Sequence, residues 1–306
     1  MPSGDLSDTL AQIAAKSVLK KTLLDKKEAA YERLPLLPGT FPLTASSGEK
    51  YPLVYRSAIA LEQVALSTID AEALAQQWVE VLMERDDLAG AAPPAIAIPW
   101  IVDADAQGWL VISLTDAWIS RWLQVLHSRS RVYLAGMRNT DSSLASPDLG
   151  TVLHTLSRRP LCTQLALSLP MLLQFTHACC CYWLSERCAS GPPTQNSIGD
   201  SPVVEAPEIS GEWSSQSPGA CHELLRAIAQ ALDIMAEQRG DRATCLRQGY
   251  RLAEAVYTFQ AAIPLATVPT FCPEIQTSIW SIVRAAQQGL ALVILGILKQ
   301  TPAQQF

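Results

Sequence analysis

Residues 252–265, LAEAVYTFQAAIPL, decide the fold predicted for the C-terminal half of the chain. Their apolar residues recur at helical spacing, and Pro264 ends the pattern. The stretch closes a helix predicted over 241–263. We predict further helices over 171–188, 222–238 and 274–299. Residues 160–306 are therefore predicted to form an all-α helix bundle.

Two segments carry little apolar periodicity. Residues 131–159 are rich in Ser, Asp and Gly, and we predict a linker with short structure there. Residues 189–219 contain several prolines and many serines. Such composition is typical of segments that bury little surface, so we predict a mobile insert within the bundle.

The N-terminal half combines helices with a strand pair. Residues 8–33 are predicted to form an amphipathic helix, so that 1–40 make a separate N-terminal segment. Its lysines alternate with acids, which favours a solvated helix face over a grip on RNA. Within 51–130 we predict helices over 55–66 and 70–84, a strand–turn–strand over 95–112 and a helix from Thr115. This is a small α/β domain, and the predicted fold class of the whole chain is α+β.

Length and charge limit the function classes. The chain has 306 residues, enough for two ordinary domains, and 49% are hydrophobic. Its net charge is −6, and residues 51–128 contain three Arg, no Lys and ten Asp or Glu. Broad nucleic-acid binding driven by charge needs positive surface, so this composition argues against it.

Cysteine usage and hydropathy indicate the compartment. The chain has eight cysteines, and Cys179, Cys180 and Cys181 are consecutive in a predicted helix, where they cannot pair with one another. No charged-then-apolar leader begins the sequence. The most apolar run, 290–298, is much shorter than a membrane span. We therefore expect a cytoplasmic protein that does not insert into a membrane.

Three segments of the predicted bundle form an ordered set: QFTHAC at 174–179, the stretch 252–265, and QGLALVILGI at 288–297. They resemble, in the same order, three motifs of the anticodon-binding domain of arginyl-tRNA synthetases. Those motifs are Gln-Tyr-Ala-His-Ala-Arg, Leu-Ala-x-Ala-Phe-x-x-Phe-Tyr-Asn-x-x-Pro-Val and Asn-Gly-Leu-x-Leu-Leu-Gly-Ile. The resemblance implies the all-α DALR-type anticodon-binding fold over about residues 160–306.

Residues 55–60, 108–114 and 116–119 are arranged as in the added N-terminal domain of that family, which contacts the corner of the tRNA. Together the two resemblances imply tRNA as the partner. The candidate contact residues are Arg56, Gln174, His177, Arg247, Arg251, Tyr257 and Phe259. The resemblance also implies that His177 is a buried helix histidine with a backbone or carboxylate partner.

The catalytic domain of the family has no counterpart. None of the four histidines lies in a His-x-Gly-His frame, and no lysine pair has the spacing of a Lys-Met-Ser-Lys-Ser motif. About 30 residues separate the two modules, too few for a nucleotide-binding domain. We predict that the chain is not an enzyme and needs no cofactor.

Several positions that the family uses to read RNA have changed. Ala58 stands where the family has Asn, Gln260 and Ala261 replace Tyr-Asn, and Cys179 replaces an Arg suited to phosphate. Single-stranded RNA is usually held by aromatic rings and guanidinium groups. The sequence thus resembles the family in its fold pattern but lacks several of the residues with which the family contacts RNA.

The cysteine-rich run is also a candidate metal site. His177 and Cys181 share a helix face, but two ligands do not make a site and no Cys-x-x-Cys pair is present. We interpret these cysteines as small packing residues and predict no metal.

Two hypotheses follow. The chain is a non-catalytic, synthetase-like protein that binds tRNA, or it is a protein-interaction scaffold or assembly subunit that reuses the fold without binding RNA. The acidic net charge and the changed RNA-reading positions favour the second; the ordered motifs favour the first.

Overall fold

The structure is a computed structural model that describes residues 6–29, 43–46, 51–60, 70–83, 100–137, 150–189, 217–237, 241–300 and 302. Most of these residues are helical, and their strands form one small antiparallel sheet, so the predicted α+β class is confirmed. The chain divides into two compact units. We call residues 15–121 the sheet unit, and residues 1–14 with 122–306 the helical unit.

The described residues of the sheet unit include four antiparallel strands. They are β1 (Thr44–Ser46), β2 (Val54–Ser57), β3 (Trp100–Ala104) and β4 (Leu110–Leu114), in the spatial order β1-β2-β4-β3. β3 and β4 form the predicted hairpin, with Val102 opposite Ile112. Both side chains are buried, because alternate residues of each strand point to the core. The predicted strand residues 95–98 lie outside the described part of the chain.

The hairpin turn depends on Asp105 and Gly108. The Asp105 carboxylate accepts hydrogen bonds from the backbone N–H groups of Gln107 and Trp109, each at 2.9 Å. Gly108 has a φ of +82°, and a Cβ there would lie 2.4 Å from the Cβ of Ala71. Glycine is therefore required for both the backbone conformation and the space.

The helix predicted over 55–66 is wrong at its start. Tyr55, Arg56 and Ser57 belong to β2, where Tyr55 lies opposite Ile112 of β4. The backbone of β2 is paired on both sides, with β1 and with β4, and Tyr55 is buried. Strand pairing with a segment about 50 residues away overrides the local pattern. Ile59 and Ala60 are helical, and 61–66 lie outside the described residues.

Two helices lie wholly within the described part of the sheet unit. α2 (Ala15–Ala29) contacts α3 (Ala71–Met83), and α3 packs on β3 and β4. α3 begins as predicted, because the Asp70 carboxylate accepts the N–H of Ala73 at 2.8 Å. Its core-facing stripe is buried and includes Trp78, which is fully enclosed.

The single N-terminal helix predicted over 8–33 is in fact two helices. α1 (Leu6–Ile13) ends before Ala14, packs on α8 and belongs to the helical unit, whereas α2 belongs to the sheet unit. The Trp122 indole N–H donates to the backbone carbonyl of Ile13 at 2.7 Å. That bond occupies a carbonyl that an uninterrupted helix would use internally. Residues 30–33 lie outside the described chain.

α4 (Asp116–Met137) is the helix predicted from Thr115. It extends into the predicted linker, and α5 (Gly150–Ser157) occupies another part of it. Trp118, Trp122 and Leu126 are buried along its inner side. Residues 138–149 lie outside the described part.

The helical unit continues through α6 (Pro160–Leu165), α7 (Leu169–Ala189), α8 (Gly219–Glu237), α9 (Arg242–Ala262) and α10 (Pro273–Val293). The last four agree with the predicted helices to within a few residues. α7, α9 and α10 contact one another, and α8 packs on α9 and α10. The core of the predicted insert, 190–216, is not among the described residues.

Glycines allow α9 and α10 to approach closely. A Cβ on Gly249 would lie 2.8 Å from Cγ1 of Val293, and one on Gly289 would lie 3.2 Å from Cδ2 of Leu252. The absence of both side chains brings the two helix backbones together.

α10 continues into a π-helical turn, Ile294–Leu298, that ends at Lys299 with a φ of 58°. Among the described residues, Pro273–Leu298 is long and apolar enough to cross a membrane by length and composition alone. Most of it is buried against the other helices, and a core helix passes the same test.

Candidate nucleic-acid interface

Four exposed arginines lie on adjoining parts of the helical unit. Arg158 and Arg159 precede α6, and Arg247 and Arg251 lie on α9. The backbone N–H of Leu161 in α6 donates to the Tyr250 hydroxyl of α9 at 3.3 Å. N–H groups in the first turn of a helix have no partner within the helix, and Tyr250 supplies one. We call Arg158, Arg159, Arg247 and Arg251 the arginine surface.

The charge of Arg159, just before α6, also acts on a side chain of α9. Burial raises the pKa of Tyr250, and the charges of Glu254 and Arg159 act on the same hydroxyl. Arg159 is therefore close enough to the Tyr250 hydroxyl for its charge to act on it. Arg247 is one turn before Tyr250, and Arg251 follows it directly.

The start of α9 positions Arg247. The Asp241 carboxylate accepts the backbone N–H of Thr244 at 3.0 Å and caps the helix. Nη1 of Arg247 donates to the Thr244 hydroxyl at 3.1 Å. A guanidinium has five N–H donors in a planar fork, so this bond orients Arg247 and leaves donors for a phosphate.

Charge is distributed unevenly along the chain. The described residues of the helical unit contain eleven Arg or Lys and eight Asp or Glu, a net of +3. The whole chain carries −6. The remaining residues of this unit add two Arg and seven Asp or Glu, so the helical unit as a whole carries −2.

Two predicted aromatic contacts have opposite environments. Tyr257 is 37% exposed on α9, whereas Phe259 is 1% exposed and its ring centroid lies 5.9 Å from that of Trp183. Phe259 is thus a core residue, and its predicted contact with tRNA is corrected. Helix geometry turns residues two apart by about 200°, so only one of this pair can face solvent.

The predicted contacts on α7 are also mostly enclosed. Gln174 is half-buried, and His177 is 3% exposed. His177 Nδ1 lies 3.8 Å from the Cys181 Sγ, and its Nε2 lies 3.4 Å from the Gln287 amide nitrogen. The expectation of a buried histidine is confirmed, these two contacts are with a thiol and an amide, and a backbone or carboxylate partner stays a prediction. Its side chain is not placed to touch a large ligand such as tRNA.

Arg56 lies in the sheet unit, apart from the arginine surface in sequence. Its guanidinium pairs with the Asp105 carboxylate and stacks 5.1 Å above the Trp109 ring centroid. Burial acts to raise the pKa of Asp105, but the N–H groups of Trp109 and Gln107 and the Arg56 side chain outweigh it and lower that pKa. Arg56 is therefore already partnered by an ionised carboxylate, which weakens its attraction for phosphate.

The cysteine run packs as predicted. Cys180 is buried, and Cys179 and Cys181 are half-buried; burial raises the pKa of all three thiols. No group of three or more His, Cys, Asp or Glu suited to a metal occurs among the described residues. Raised pKa values disfavour the thiolate, the form that binds metals and attacks electrophiles.

Sequence reasoning missed Arg158, Arg159 and Tyr250. The Arg-Arg-Pro run at 158–160 was a usable signal, because proline favours the first helical position and leaves the arginines just outside the helix. The Tyr250 bond to Leu161 joins residues 89 apart in the chain, which no local pattern reveals.

A scan against protein-family models found no match to this chain, and searches of curated proteins and of solved structures likewise returned no similar protein.

Proposed function

We propose that this chain is a non-catalytic, arginyl-tRNA synthetase-like protein that binds tRNA through the arginine surface. The observation that carries the proposal is that two exposed arginines just before α6 and two on α9 lie on elements joined by the Leu161–Tyr250 hydrogen bond. Arginine suits this role because its planar fork matches phosphate oxygens.

The arrangement of the three resembling segments supports a DALR-type bundle. They lie in α7, α9 and α10, and they meet in space. His177 of the first segment contacts Gln287, next to the third, and Gly289 of the third packs against Leu252 of the second. Segments that belong to one conserved core are expected to touch in this way.

The proposed binding depends mainly on the phosphate backbone. Phe259 is enclosed, so Tyr257 is the predicted aromatic residue that is exposed to stack on a base. Contacts to phosphates position a nucleic acid but carry no sequence information. We therefore expect weak discrimination among tRNAs. The proposal includes no aminoacylation, cofactor or metal, and its setting is the cytoplasm.

Charge reversal tests the proposal. The variant Arg247→Glu/Arg251→Glu is expected to bind tRNA at least tenfold more weakly in a filter-binding assay. The matched control is Arg129→Glu/Arg131→Glu, which makes the same charge change at two exposed positions of α4. Equal loss in both variants would mean that overall charge, and not the arginine surface, governs binding.

The alternative function, a protein-interaction scaffold or assembly subunit, is favoured by one observation. Met171, Phe175 and Tyr182 are 51%, 37% and 57% exposed, and their spacing places them along one side of α7. Large exposed apolar side chains in a row mark many protein interfaces. If Met171→Ser/Tyr182→Ser dissociates a complex isolated from the native host while tRNA binding is absent, the scaffold hypothesis replaces the first.

A further inference from the structure

His127 is a buried titratable group that the proposed function does not use. It lies on the part of α4 that belongs to the helical unit and is 8% exposed. Its Nδ1 is 2.8 Å from Oε1 of Gln288 on α10. The amide nitrogen of the same Gln288 faces the backbone carbonyl of His127 at 3.5 Å.

These two contacts determine the tautomer. The Gln288 amide directs its N–H₂ group to the His127 carbonyl, so its oxygen faces the ring. An oxygen acceptor opposite Nδ1 requires the proton of the neutral imidazole to be on Nδ1. Nε2 then carries a bare lone pair, and this atom is buried with no hydrogen-bond partner among the residues that the structure describes.

A second proton has no suitable place in this arrangement. It would create an N–H at Nε2 with no acceptor and a positive charge inside the bundle. The charge of Arg284, one turn before Gln288, also acts on the ring and disfavours a second cation. Of the described residues, Arg284 is the charged group that acts on His127.

We propose that the His127–Gln288 pair is an acid-sensitive latch, which holds α4 from Trp122 onward against α10 while the imidazole is neutral and opens when Nε2 binds a proton. The latch is closed at neutral pH. Acid opens it because a protonated Nε2 is stable only in conformations in which this atom reaches water.

The direction of the pH dependence follows from the ring's affinity for protons. Burial lowers the pKa of His127 to about 4, with the Gln288 hydrogen bond opposing and the Arg284 charge adding to the shift. The open form binds protons with an ordinary histidine pKa of about 6.5. The closed form is therefore fully favoured above about pH 6.5 and loses its advantage as the pH falls towards 4. Between pH 7 and pH 5 the opening equilibrium constant is expected to rise about 20-fold.

The first test is an NMR titration of the histidine ring protons in the intact chain. We expect His127 to remain neutral until the pH is well below 5. A midpoint near 6.5 would overturn the proposal, and this test needs no variant.

The second test removes the titration. The opening equilibrium constant is measured by amide hydrogen exchange of residues 126–131. In His127→Gln it is expected to be nearly the same at pH 7 and pH 5, so that the rise of about 20-fold expected for the wild type is lost. His154→Gln, at an exposed position on α5, is the control and should keep the wild-type dependence. The proposal is wrong if His127→Gln keeps that dependence, or if acid accelerates exchange equally throughout the bundle.

Discussion

Phe259 and Tyr257 lie two positions apart on α9 and have different environments. Phe259 fills the core against Trp183, and Trp183 in turn meets Trp280 with ring centroids 6.3 Å apart. Tyr257 remains partly in solvent. The first side chain is thus expected to govern stability and the second to govern binding.

This division predicts reciprocal effects of two truncations. Phe259→Ala is expected to lower the free energy of unfolding by about 3–5 kcal/mol, because it leaves a cavity in the core. Tyr257→Ala is expected to change stability by less than about 0.5 kcal/mol and to weaken tRNA binding by about 1–3 kcal/mol, the usual value of a base stack. Urea unfolding and filter binding measure the two quantities. A stable Phe259→Ala protein with weakened binding would contradict the assignment.

Gly108 gives a second prediction at the residue scale. Gly108→Ala forces a side chain onto a φ of +82° and against Ala71, whose backbone C and O atoms lie 2.9 Å from the added Cβ. We expect a loss of about 3 kcal/mol of stability from strain and overpacking together. Gly219→Ala is the matched control, because, apart from its chain neighbours and its own helix backbone, no atom of the described residues lies within 4 Å of the added Cβ. Urea unfolding that shows equal, small effects would refute the described turn.

Single residues were predictable from sequence where the cause is local. Asp70 as a helix cap and Asp103–Gly108 as a polar turn follow from neighbouring residues. The Arg56–Asp105 pair and the His127–Gln288 pair join residues 49 and 161 apart in the chain. Such partners are chosen by the tertiary fold, so the sequence pattern could not identify them.

At the scale of elements, glycines on both helices allow α9 and α10 to approach each other. Gly249→Ala would place a methyl group 2.8 Å from Cγ1 of Val293, and we expect it to cost about 1–3 kcal/mol. Val293→Ala removes the clashing group. The double variant should therefore be more stable than the sum of the two single effects, measured by urea unfolding in a double-mutant cycle. Strict additivity would show that the two positions do not meet.

Helices with strong periodicity and clear ends were predictable as elements. α3, α7, α8, α9 and α10 agree with the sequence because caps, prolines and apolar spacing specify them locally. β2 and the break at Ala14 were not predicted. Each depends on a distant partner: the strand β4 for the first, and the Trp122 indole for the second.

At the scale of the whole molecule, both units share the acidic charge of the chain. The net charge of −6 is the sum of −4 for the sheet unit and −2 for the helical unit. The division between the units could not be placed from sequence, because α1 belongs to the helical unit while α2 belongs to the sheet unit. The same division puts Arg56, with its carboxylate partner, in a different unit from the arginine surface.

The most direct test of the central claim is the affinity of the unmodified chain for total tRNA as a function of salt. Four arginines on phosphates predict a slope of about −3 in log affinity against log salt, which corresponds to a loss of about 50-fold between 50 and 200 mM. We predict measurable binding at the lower concentration and this decrease at the higher one. No binding at 50 mM salt, where phosphate contacts are strong, would contradict tRNA binding by this protein.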